Sequence, residues 1–223
     1  MSIEELNQHQ LPNYSKAEEI FNMVSHIVGG SCGIMVLCIA IFLSILFKRN
    51  AYEIISLIIY GVSIISLYSI SSIYHGLKKE KFSKKILQII DHCTIYFLIC
   101  GTYTPICVMG NYSFDLKIFV LTLQYGLAIF GIIINAVALN KKIVKIISMI
   151  LYILMGWMII FIPIMVQKLP LKVFLFILFG GIFYTLGSIL YGIGAKKRWF
   201  HSIFHIFCVL GTLFQAIGII LLI

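Results

Sequence analysis

The chain has 223 residues, of which 61% are hydrophobic and only 11% charged, with a mean hydropathy of +1.06. These values lie far from those of a water-soluble domain and point to an integral membrane protein. The net charge of +9 does not indicate nucleic acid, because the basic residues fall between apolar runs and not along one soluble face.

The first residues carry Glu4, Glu5, Glu18 and Glu19, unlike the basic leader of a secretory signal. Seven apolar runs follow, at about 22–47, 52–76, 87–109, 116–139, 143–166, 171–194 and 200–223, each near the roughly 20 residues that a helix needs to cross a bilayer. Long apolar stretches without strict alternation favour helices over a barrel. The expected architecture is an all-α seven-transmembrane-helix bundle, with residues 1–21 as a cytoplasmic N-terminal segment and 22–223 as the membrane domain.

Lysine and arginine set the expected orientation. Lys16, the group Lys78, Lys79, Lys81, Lys84 and Lys85, the group Lys141, Lys142 and Lys145, and the group Lys196, Lys197 and Arg198 put twelve basic residues on one side, against five on the other. Basic loops stay in the cytoplasm, so the N-terminus is expected there and the C-terminus outside, in a protein of the cell membrane. The six cysteines show no CxxC pair, so neither a disulfide framework nor a zinc knuckle is indicated. Cys93, Cys100 and Cys107 repeat every seven residues and read as small residues at a helix contact.

Within this topology the histidines gather at one depth. His75 closes the second run three residues before Lys78, Asp91 lies six residues past Lys85 in the third, and His201 and His205 open the seventh just after Arg198. At 1.5 Å per residue these groups fall within about 5–15 Å of the inner basic edge. Residues four apart share a helix face, so His201 and His205 project together, as do Ser71 and His75. Two imidazoles on one helix and a third from another form a three-nitrogen set that suits a zinc ion with an open fourth position. Asp91 would stand beside it as an acid or an orienting group. HxxxH by itself is a weak motif, and a histidine near the membrane edge, such as His92, also reads as an interfacial residue or a hydrogen bond between helices. Glu19, Asn22 and His26 form one polar stripe on the first run, read either as facing the same site or as locking two helices together.

These residues carry a resemblance. EIFNMVSH (19–26), SSIYH (71–75), IIDHCTIYFLICGTYTP (89–105), FYTLGSILYG (183–192) and HSIFH (201–205) are similar, in order, to the motifs of the hemolysin III family, within the larger group of progestin and adipoQ receptors and alkaline ceramidases. The resemblance implies seven helices with the N-terminus inside and Zn2+ held by His75, His201 and His205, with Asp91 and Ser71 near its water. Gln215 stands where many relatives would carry a histidine. Two activities are implied: zinc-dependent hydrolysis of a membrane lipid amide or ester from the inner leaflet, or a pore-forming cytolysin. A receptor or scaffold with a structural zinc is a third reading. A retinal protein is excluded, because the seventh run holds no lysine for a Schiff base.

Overall fold

A computed structural model describes Glu4, Leu6, residues 10–194 and residues 197–223; Glu5 and Lys196, weighed above, lie outside these. Among the described residues the chain is all helical: α1 (Lys16–Leu46), α2 (Ala51–Gly76), α3 (Phe82–Met109), α4 (Phe114–Ala138), α5 (Lys142–Gly156), α6 (Met158–Phe161), α7 (Pro163–Lys168), α8 (Leu171–Gly194) and α9 (Phe200–Ile220). Six of these, α1 to α4, α8 and α9, are long and apolar enough to cross a membrane.

The expected fifth helix, 143–166, is not continuous. Helix α5 stops at Gly156, and Pro163 opens α7 with Ile162 before it at φ −119° and ψ 85°. Proline lacks the N–H that would continue the ladder and pushes its predecessor out of the helical region. The backbone groups freed at the break find a partner in Tyr103 of α3. Its hydroxyl donates to the Gly156 carbonyl at 3.1 Å and accepts from the Ile159 N–H at 2.8 Å, the kind of repair that irregular backbone needs at membrane depth.

Helix α1 starts six residues ahead of its apolar run. Ser15 and Glu18 form a reciprocal capping box, with Ser15 N–H to Glu18 Oε2 at 2.9 Å and Glu18 N–H to Ser15 Oγ at 3.3 Å, satisfying two N-terminal donors without help from the membrane. Asn50 and Glu53 start α2 in the same way.

The bundle turns its apolar side outward. Phe42, Ile45, Phe119, Ile129 and Ile133 are exposed, while Asn22, Gln124, Asn135 and His205 are buried. Consecutive helices α1 to α4 pack in sequence, α8 packs on α9, and α9 returns to α1 and α3. Polar residues join the helices. The Gln124 amide donates to the Met155 carbonyl at 2.9 Å, and Asn135 accepts from Ser148 at 2.5 Å, so both serve α4–α5 contacts. Cys100 Sγ lies 3.4 Å from the Gln124 carbonyl and Cys93 Sγ 3.9 Å from that of Ile132, which places these two of the three repeating cysteines along the α3–α4 contact.

Helices α2 and α3 are in close contact at Gly101, where an added Cβ would lie 2.2 Å from Ser63 Oγ and 2.7 Å from Ser63 Cβ. Ser63 cannot easily turn aside, since its hydroxyl donates to the Tyr60 carbonyl at 2.6 Å. Gly101→Ala is therefore expected to cost about 1–3 kcal/mol by overpacking, read as a lower melting temperature in detergent. Gly126→Ala, where nothing lies within 4 Å, should leave the melting temperature unchanged or slightly raised.

Candidate metal centre

The site is assembled where the C-terminal end of α2 meets the first turns of α1 and α9. Helix α9 is set by Trp199, which precedes it at φ 66°, a left-handed conformation that an L-residue adopts only when its surroundings hold it. Glu18 supplies the hold: its Oε1 accepts the Trp199 N–H at 2.7 Å. The capping residue of α1 thus also fixes the register of α9, and with it the position of His201 two residues later.

His75, His201 and His205 converge. Their ring centroids are 4.7–5.5 Å apart, and one nitrogen from each lies within 4.8 Å of the other two. All three are 9% exposed or less. Nε2 of His201 and Nε2 of His205 stand 3.0 Å apart, a pairing in which two lone pairs face each other unless a proton or a cation comes between them. Nε2 of His75 is buried with no hydrogen-bond partner.

The donor set fits a zinc ion. Bonds of about 2.0–2.1 Å in a tetrahedral arrangement put ligand nitrogens about 3.4 Å apart, which small rotations of three converging side chains reach. Buried polar atoms normally find partners, so an unsatisfied imidazole nitrogen beside two facing ones is a chemical signature of a group that accepts lone pairs.

Around this cluster the other expected residues separate. Ser71 engages Asp91 through its hydroxyl. Both line, with His26, His201 and His205, a cavity of about 170 Å³ whose walls are mainly apolar and which also includes Trp157, Ile177 and Gln215. His201 and Gln215 are fourteen residues apart on α9, so the cavity extends about 20 Å along the axis of that helix. Gln215 meets Thr102 at 3.5 Å and takes no part in the histidine cluster.

The polar stripe of α1 divides its functions. Glu19 Oε2 lies 2.5 Å from His75 Nδ1, His26 stacks on His205 with centroids 3.8 Å apart, and Asn22 is fully buried with neither side-chain atom hydrogen-bonded. His92 does not join the three histidines. Its Nδ1–H donates to the Gln88 carbonyl at 2.8 Å and its Nε2 faces the Tyr191 hydroxyl at 3.3 Å, a bond between α3 and α8.

Two contributors were not foreseen. Tyr14, just ahead of α1, stacks on His201 with centroids 4.6 Å apart and an 18° angle, covering one side of the cluster. Burial holds its phenol above the ordinary tyrosine range, so it covers the site as a neutral ring. Lys84, counted above among loop charges, is only 2% exposed. Its long stem carries the ammonium inward to Glu19, at 2.5 Å. No periodicity marks either residue: one lies outside any helix, and the other is defined by the partner it reaches.

The family profile described as Haemolysin-III related matches residues 14–216. The chain belongs to the haemolysin III family. A protein named "Hemolysin-3 homolog" from Bacillus subtilis (strain 168) is 35% identical over 199 residues, covering 87% of this chain and 89% of the relative. One named "Hemolysin-3" from Bacillus cereus is 34% identical over 199 residues, covering 87% of each. The matched span of the haemolysin III profile includes Tyr14, the three histidines and all the cavity-lining residues named above.

Proposed function

We propose that this haemolysin III member is a zinc-dependent intramembrane hydrolase that cleaves an amide or ester of a membrane lipid from the inner leaflet of the cell membrane. In this reading α5, α6 and α7 together complete a seventh crossing. Residues 1–21 lie on the cytoplasmic side, residues 22–223 form the membrane domain, and the C-terminus is extracytoplasmic. The observation that carries it is the juxtaposition of a three-imidazole cluster with an acid, Asp91, at the wall of a mainly apolar cavity.

His75, His201 and His205 would hold the metal. When bound, zinc supplies a Lewis acid that polarises a carbonyl and acidifies a water toward neutrality. Asp91 accepts the proton of the attacking water and delivers it to the departing amine or alcohol, so that one water and one lipid give a fatty acid and the second product. Ser71 has a single proton to donate and directs it to Asp91. It therefore serves to orient the acid, while polarisation of the carbonyl falls to the metal.

The acyl chain would lie in the cavity, entering sideways between α5 and α8, which meet only sparsely. Trp157 Nε1 donates to Thr185 Oγ1 at 2.9 Å across that seam, and both residues line the cavity. A pore, the alternative suggested by the names of the relatives, requires polar residues along the full membrane thickness. Gln124 and Asn135 instead bond across the α4–α5 contact, Gln124 through its amide N–H and Asn135 through its side-chain oxygen.

The test is incubation of zinc-loaded protein with a mixed membrane lipid extract and detection of released fatty acid by mass spectrometry. Release that disappears in each of the variants His75→Ala, His201→Ala and His205→Ala is expected. Dye leakage from liposomes that persists in a chelator, without fatty acid release, would favour lysis and overturn the hydrolase.

A further inference from the structure

Lys84 is the feature that the hydrolase reading leaves unused. A lysine ammonium is strongly hydrated and shuns burial unless it is paired. This one lies 2.5 Å from Glu19 Oε1 and 2.9 Å from the Leu77 carbonyl, and 5.1 Å from the centre of the Tyr74 ring. Glu19 turns its other oxygen, Oε2, to His75 Nδ1. Residues from α1, α2 and α3 therefore line up as ammonium, carboxylate and imidazole, ending on a histidine of the cluster.

We propose that Glu19 is a positioning residue that sets the tautomer of His75, and that Lys84 fixes the carboxylate in the orientation this requires. The inference rests on the metal reading of the three histidines. An ammonium has donors only, and an ionised carboxylate has acceptors only. With Oε1 taken by Lys84, Oε2 accepts from Nδ1–H, and a neutral His75 must then present Nε2 as a lone pair. That nitrogen is the buried one without a partner. The opposite tautomer would aim an N–H at the other two rings and could not ligate through Nε2. Outer-shell carboxylates that orient a metal-binding histidine in this way also raise its basicity. Here the pairing of Glu19 with Lys84 means that the arrangement adds no net charge to the interior.

A glutamine at position 19 makes the idea testable. Its single carbonyl oxygen would go to the Lys84 ammonium, leaving its NH2 facing His75 Nδ1, which forces the ring into the wrong tautomer. Removing the lysine as well frees that oxygen for the ring. The tautomer of His75 is read by 15N NMR of histidine-labelled, metal-free protein, and zinc affinity by competition with a chromophoric chelator. Glu19→Gln is expected to move the proton to Nε2 and weaken zinc binding about 10–100-fold, the range for loss of an outer-shell partner. Glu19→Gln with Lys84→Met should restore Nδ1–H and bring the affinity back to near wild type.

A staple that merely joins helices predicts the reverse, because the second substitution removes one more contact. If the unpaired lysine keeps the single variant from folding, the two charge-free doubles decide. Glu19→Leu with Lys84→Met must bind zinc about 10–100-fold more weakly than Glu19→Gln with Lys84→Met. Equal affinity of these two doubles, or wild-type affinity in Glu19→Gln, overturns the proposal while the metal reading stands. A wild-type protein that takes up no zinc, with its His75 tautomer already assigned in the metal-free state, overturns the metal reading and this inference with it.

Discussion

His205→Ala is expected to bring the zinc content of detergent-purified protein from about one ion per chain down to a small fraction of that. His205 is 1% exposed and completes a triangle with the other two rings, 4.9 Å from His75 and 4.7 Å from His201 by centroid. Its loss takes one of three nitrogens and leaves a pair too few to hold a tetrahedral ion, so the drop should exceed the roughly 10–100-fold typical of outer-shell changes. Metal analysis by mass spectrometry measures it directly. Stability offers a second readout, since a ligand present at about 100 times its Kd stabilises the folded state by about 2.7 kcal/mol. A chelator should therefore lower the melting temperature of the wild type and leave that of His205→Ala unmoved. His92→Ala is the control: both ring nitrogens of His92 are engaged elsewhere, by Gln88 and Tyr191, so zinc should remain at the wild-type level. Loss of zinc in His92→Ala, or its retention in His205→Ala, would remove the three-histidine assignment.

The convergence of the three histidines could be read from the chain because it depends on two simple regularities. Residues 201 and 205 share a face by the helical repeat, and His75 is brought to their depth by the basic residues that anchor the ends of both helices. Other parts depend on distances that no repeat encodes. Lys84 looks like one more positive residue in a basic loop until α1 approaches α3 and offers Glu19. The role of Trp199 follows from a left-handed backbone and from the reach of Glu18 across 181 positions of chain. The interruption at residues 157–163 was partly visible in Pro163, but hydropathy stays high through Trp157 and Ile162. Composition therefore reads the run as one helix, whereas the Tyr103 bonds make the break tolerable. The buried Gln124 and Asn135 show the same limit: they are scattered polar residues of one apolar run, and only the packing of α4 on α5 shows that they join helices.

Asp91→Asn is expected to leave zinc in place and to reduce the rate of fatty acid release about 10²–10⁴-fold, the usual contribution of a positioned acid or base. The substitution is nearly isosteric, and the Ser71 hydroxyl that now serves the carboxylate can donate equally well to the asparagine carbonyl, so the geometry of the cavity wall is kept. What is removed is the capacity to accept a proton from water and return it to the leaving group. Because the acyl chain would be bound by the apolar walls and not by Asp91, the loss should fall on kcat with little change in KM. Ser71→Ala should be milder, since it disturbs only the aim of the acid. Three results would each assign Asp91 differently. A loss of zinc in Asp91→Asn would make it a ligand, and a rise in KM alone would make it a binding group. Undiminished lipid cleavage would detach it from the chemistry altogether, leaving the histidine cluster to act without the neighbouring acid.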